Sequence, residues 1–160
     1  MMNAFRLVLA VGVMFAGAGC ASLSARFSTQ PPAGRSAAEA AQDGAQCEGY
    51  AKGQGKHQSD HYQSCMVARG YATNWFMEEF GWHVGVVQTR PHDAATVMID
   101  MSQCDRQADD TKKSTAVPAL TAEQARALAG QAFPQARANA TRMLVFCLQE
   151  RGYGVVPWVR

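Results

Sequence analysis

The chain has 160 residues, 15 Lys and Arg against 13 Asp and Glu for a net charge of +2, and 48% hydrophobic side chains. So slight a charge imbalance gives no electrostatic footing for nucleic acid or an anionic surface as a partner. The length suits one small domain with a modest core once a targeting segment and a tether are set aside.

Met1 to Arg6 followed by the apolar run Leu7 to Ala18 has signal-peptide proportions, too short for a spanning helix of roughly twenty residues. Residues 1–19 are therefore expected to be absent from the mature protein. Gly17-Ala18-Gly19 before Cys20 resembles the lipobox of bacterial lipoproteins, although Gly17 stands where that family usually has Leu, Val or Ile. The resemblance implies a lipid-modified Cys20, with palmitate among its acyl chains, as the first mature residue. Ordinary cleavage after Ala18 is the competing reading and leaves Cys20 a free thiol. The five cysteines bear on this choice, because an exported chain with an odd number must account for one. Lipidation of Cys20 does so and leaves Cys47, Cys65, Cys104 and Cys147 to form two disulfides.

Residues 20–35, with Pro31-Pro32-Ala33-Gly34, lack periodicity and read as a flexible tether. Ser36-Ala-Ala-Glu39 has capping-box spacing, and Ala37, Ala40/Ala41, Gly44, Cys47 and Ala51 recur at three and four, predicting a helix ended by Gly53-Gln-Gly55. A second helix is expected from about Ser59 to Arg69, burying Tyr62, Cys65 and Met66. Cys47 and Cys65 lie at similar distances from the glycine turn, so an antiparallel hairpin brings them level, as a disulfide needs.

Cys65-Met-Val-Ala-Arg-Gly-Tyr71 returns as Cys147-Leu-Gln-Glu-Arg-Gly-Tyr153. Each copy reads as a helix stop: Gly70 and Gly152 take the left-handed position, and Tyr71 and Tyr153 fold back on Met66 and Leu148. Arg69 and Arg151 fall where a cation favours the helix carboxyl end. Upstream, Gln46-Cys47-Glu48 is echoed by Gln103-Cys104-Asp105, so the chain reads as two versions of one cysteine-helix unit.

Trp75, Phe76, Phe80 and Trp82 concentrate aromatic area, as core or as an interface anchor, and Val84 to Arg90 reads as a strand. Its likeness to Gly154-Val-Val-Pro157 predicts that the two extended pieces pair, with Pro157 at an edge. Asp93 is a cap for a helix whose stripe is Ala94, Val97/Met98, Met101, Cys104 and Ala108. A polar connection leads to a capped helix from Thr121 to Phe133. The final helix presents Ala136, Ala140, Met143, Leu144, Cys147 and Leu148 on one face. Cys104–Cys147 is the second expected disulfide, drawn without the level-matching that supports the first.

All four of these cysteines fall on apolar helical faces, the setting of structural bridges and not of reactive thiols, and no Cys-x-x-Cys is present. His57 and His61 have the four-residue spacing of a metal pair, with Asp60 beside them, but no third histidine follows nearby and His57 sits in the turn. Glu78 and Glu79 are neighbours that point about 100 degrees apart on a helix, too divergent to share a substrate. Gly-x-Ser-x-Gly, His-Glu-x-x-His and phosphate loops are all missing from the sequence.

The lipobox-like start, polar tether and paired cysteines ending in Arg-Gly-Tyr resemble small cysteine-hairpin lipoproteins of Gram-negative bacteria. That resemblance implies a lipid-anchored, periplasm-facing envelope protein, with Ala21 directing it to the outer membrane. The expected fold is mainly α: two disulfide-stapled helical hairpin units, 36–90 and 91–160, each followed by a short extended segment. The expected role is non-catalytic, without a cofactor: a structural or accessory binding component that meets an envelope protein partner. A periplasmic small-ligand or metal-binding protein is the alternative.

Overall fold

The computed structural model describes residues 27–75, 84–111, 122 and 135–158. Cys20 and the apolar run before it, Phe76, Glu78, Glu79, Phe80, Trp82 and the helix expected from Thr121 to Phe133 lie outside these described residues, Ala122 excepted.

Local signals set the helices. Ser36 and Glu39 form a reciprocal capping box: the Ser36 amide donates to Glu39 Oε2 at 2.8 Å, and the Glu39 amide donates to Ser36 Oγ at 3.3 Å. They open α1, Ala37–Gly53. The turn that follows reaches His57, whose φ of 57° is left-handed, and α2 runs Gln58–Ala68. Asp93 accepts from the Thr96 amide at 2.7 Å and opens α3, Ala94–Asp110. The fourth helix among the described residues, α4, spans Gln135–Glu150.

The helix stops form as expected. Gly70 has φ 84° and Gly152 φ 89°. At the first, the Gly70 amide donates to Val67 O at 2.9 Å and the Tyr71 amide to Met66 O at 3.1 Å, the paired bonds of a Schellman motif. Tyr71 shares a buried cluster with Met66, and Tyr153 shares another with Leu148.

Each hairpin is closed by its own bridge, Cys47–Cys65 between α1 and α2 and Cys104–Cys147 between α3 and α4, both with Cα atoms 5.5 Å apart. The stripe of α1 is narrower than the sequence suggests: Gly44, Cys47 and Ala51 are buried, Ala40 is half-buried, and Ala37 and Ala41 are exposed. The hairpins share a core. Val67 of α2 packs in the cluster of Val97, Met101, Leu144 and Leu148, and Ala94 of α3 packs against the cluster of Cys47 and Tyr62.

One antiparallel sheet joins them, with strands β1 (Thr29–Gln30), β2 (Ala72–Thr73), β3 (Val84–Gln88) and β4 (Tyr153–Pro157) in that spatial order. The two Val-rich pieces pair as expected, Val86 opposite Val155 and Gly85 opposite Val156, with exposed Pro157 on the last strand of the sheet. Two expectations are corrected. Residues 27–35, assigned to the tether, belong in the fold: Thr29 and Gln30 pair with Thr73 and Ala72, and the Phe27 ring lies 6.3 Å from that of Tyr62. The unit boundary also moves. The sequence puts β3 at the end of a unit 36–90, yet five register pairs join it to β4 and one joins it to β2, so it opens the second unit. Among the described residues the chain is thus a βααβ unit built twice, β1-α1-α2-β2 and β3-α3-α4-β4. Gln88 ties the units: its Nε2 donates to Ala68 O at 3.0 Å, and its Oε1 accepts from the His92 amide at 3.1 Å.

Candidate functional site

Asp43-Gly-Ala-Gln-Cys47 and Asp100-Met-Ser-Gln-Cys104 place an acid one helical turn before a bridged cysteine in both units. That turn faces the Arg-Gly-Tyr stop of the partner helix. Arg69 therefore donates to Asp43 Oδ1 and Tyr71 OH to Asp43 Oδ2 at 2.8 Å. The second unit repeats this atom for atom, Arg151 on Asp100 Oδ1 and Tyr153 OH on Asp100 Oδ2 at 2.8 Å. Arg69 Nη2 also donates to Gln46 Oε1 at 2.7 Å, and Arg35 Nε lies 3.6 Å from Asp43. In the second cluster the His92 ring stacks on Tyr153 with centroids 5.0 Å apart, and Arg90 donates to Glu150 O at 2.8 Å.

Both tyrosines are 1% exposed. Burial, then the hydrogen bond to Asp43, pushes the Tyr71 phenol up to about 12. Burial and Asp100 raise Tyr153 in the same way. Burial alone would raise Asp43, but the bonds from Tyr71 and Arg69 outweigh it and hold the carboxyl below its usual range. Near neutral pH Tyr71 and Tyr153 keep their protons and Asp43 stays ionised. The clusters lock each helix stop to the opposite helix.

The two acids were missed in the sequence, where a lone Asp on a helix reads as surface; the signal available was their identical spacing to the cysteines in both copies. The two arginines sit at the C-caps as expected, but their guanidinium bonds are made across the hairpin to aspartate, a stronger attraction than a helix carboxyl end offers.

His57 is exposed with Nδ1 3.8 Å from Asp60 Oδ2, while His61 turns its ring edge-on to Tyr50 and buries an Nδ1 that has no hydrogen-bond partner. Among the described residues, no three His, Cys, Asp or Glu side chains gather as a ligand set. Trp75 is half-buried against the cluster of Val97 and Leu144, a core position.

A groove of about 380 Å³ is lined by Thr29, by Ala40, Ala41, Gly44 and Glu48 of α1, and by Tyr62 and Met66 of α2. Among the described residues no helix is long and apolar enough to cross a membrane. Comparison of the chain with models of protein families, with curated proteins and with solved structures gives no match.

Proposed function

We propose that this protein is a non-catalytic lipoprotein of the bacterial cell envelope, anchored through acyl chains on Cys20 to the outer membrane and facing the periplasm. It serves there as a structural or accessory binding component of an envelope assembly. The observation that carries this reading is the use of cysteine: the four in the folded body are consumed pairwise in buried bridges, which favours an oxidising compartment. Cys20, the fifth, follows directly on an apolar run of signal-peptide proportions. The locked carboxylate clusters support a scaffold over a reaction centre, since their groups are committed to one another.

Membrane fractionation tests the anchor. The native chain should sediment with outer membranes and Cys20→Ser should be released from them; a variant that still sediments with membranes overturns the reading. Capture of the native chain from intact envelopes should bring down a stoichiometric envelope protein, whereas turnover of a substrate by the isolated protein would argue for an enzyme.

A further inference from the structure

On either side of the connector between their helices, the two units correspond residue by residue. Counted from the caps Ser36 and Asp93, the acids Asp43 and Asp100 and the cysteines Cys47 and Cys104 coincide. Counted back from the two Arg-Gly-Tyr stops, α2 (11 residues) coincides with the end of α4 (16 residues), with Cys65 matching Cys147. The strands obey the same two alignments: Thr29 opposite Thr73 becomes Val86 opposite Val155, and Gln30 opposite Ala72 becomes Val87 opposite Gly154. Because every neighbour in the sheet is antiparallel, β1 and β3 run the same way, and so do β2 and β4. The second unit is therefore the first one shifted along the sheet. A contact between units so related is head to tail and joins two different faces.

Within the chain that contact joins β2 to β3, through Thr73 and Val86, and packs α2 on α3. Its two halves recur at the ends of the molecule: β4 with α4 copies β2 with α2, and β1 with α1 copies β3 with α3. We propose that β4 and α4 of one molecule dock on β1 and α1 of a second copy of this chain, continuing the sheet as β2 and β3 do inside it.

The side chains at the two ends complement each other. Inside the chain, α2 presents Ser64, fully buried, on the face where Val67 meets Val97 and Met101 of α3. At the outer end the counterpart of Ser64 is Phe146, a large apolar side chain left 37% exposed. The counterparts of Val97, Met98 and Met101 are Ala40, Ala41 and Gly44, which line the groove of about 380 Å³. Large and small have changed places, so the ring of Phe146 enters a groove where the internal contact has bulky residues. Val67 and Ala68 are matched by exposed Gln149 and Glu150, so the outer contact is weaker than the inner one and reversible. Molecules confined together at roughly millimolar effective concentration, as on a membrane surface, would be driven into it.

The test is sedimentation velocity on the full chain in mild detergent, up to about 1 mM. The native chain should show concentration-dependent growth beyond a dimer. Ala41→Glu blocks the groove and Phe146→Ser removes the ring; both positions are exposed, so the fold and both bridges should survive, as circular dichroism and a non-reducing gel will report. Each variant alone should lose association by about tenfold or more. Mixed one to one they should form a dimer and nothing larger, since each supplies the end the other lacks. A native chain that stays monomeric, one that stops at a closed dimer, a variant that assembles like the native chain, or a mixture that stays monomeric overturns the proposal. It stands apart from the envelope reading, which fractionation of Cys20→Ser decides separately.

Discussion

The phenol of Tyr153 donates to Oδ2 of Asp100 at 2.8 Å, joining the residue after one helix's glycine stop to the middle of the helix beside it. The same bond recurs between Tyr71 and Asp43, whose carboxyl is held ionised, and a hydrogen bond of that charge-assisted kind contributes about 1.5–3 kcal/mol. Tyr153→Phe and Tyr71→Phe should each lower the urea midpoint by that order. Asp43→Ala should cost more than Tyr71→Phe, because it strands two donors at once. Arg69 is a third exposed, so Arg69→Met should cost less than Asp43→Ala. Equal midpoints for native and Tyr153→Phe would remove the clusters from the account of stability.

The same bonds set how stability depends on pH. An unfolded phenol ionises near ~10, whereas Tyr71 is raised to about 12. Its contribution is complete below the unfolded value and is lost as pH climbs through the native one. Asp43 is lowered, so its contribution is complete above the unfolded carboxyl value of ~3.9 and disappears as pH falls through the depressed native value. Tyrosinate absorbance should show Tyr62, Tyr71 and Tyr153 ionising late, at or after the onset of alkaline unfolding. Full titration near 10 in a chain that is still folded would contradict this.

The two glycine stops should differ in tolerance. Both have left-handed φ, which costs a residue with a side chain about 1–2 kcal/mol. Among the described residues a Cβ at Gly70 would meet only Pro32 Cγ, at 3.9 Å, whereas one at Gly152 would come within 2.5 Å of Arg90 Nε and 3.0 Å of His92 Nε2. Gly152→Ala should therefore lower the melting temperature more than Gly70→Ala. The reverse order would mean that Arg90 and His92 move aside freely.

The bridges span 18 and 43 positions. Loop-closure entropy puts a bridge of the shorter kind at about 3 kcal/mol and makes the longer worth roughly 0.8 kcal/mol more. Replacing Cys104 and Cys147 together by Ala should destabilise the chain more than replacing Cys47 and Cys65, read as urea midpoints under oxidising conditions.

What the sequence disclosed was local. The caps at Ser36 and Asp93, the glycine stops and the level cysteines of the first hairpin each lie within a turn or one hairpin, and all form as read. What it concealed depended on distance. β1 and β2 are two residues long, too short for any alternation to register, and β3 was assigned to the helix pair before it because the chain gives neighbours but not pairing partners. Asp43 lies 26 positions from Arg69, so neither residue announces the other. Only comparison of one unit with the other, Asp-x-x-x-Cys against Asp-x-x-x-Cys, exposes them.

These four cysteines pair in chain order, Cys47 with Cys65 and Cys104 with Cys147, so neither loop encloses or crosses the other. Among these four, a chain oxidised as it threads out amino end first would find the right mate each time before a wrong one of the four had appeared. Maturation by that route calls on an oxidant and leaves a shuffling catalyst with nothing to correct.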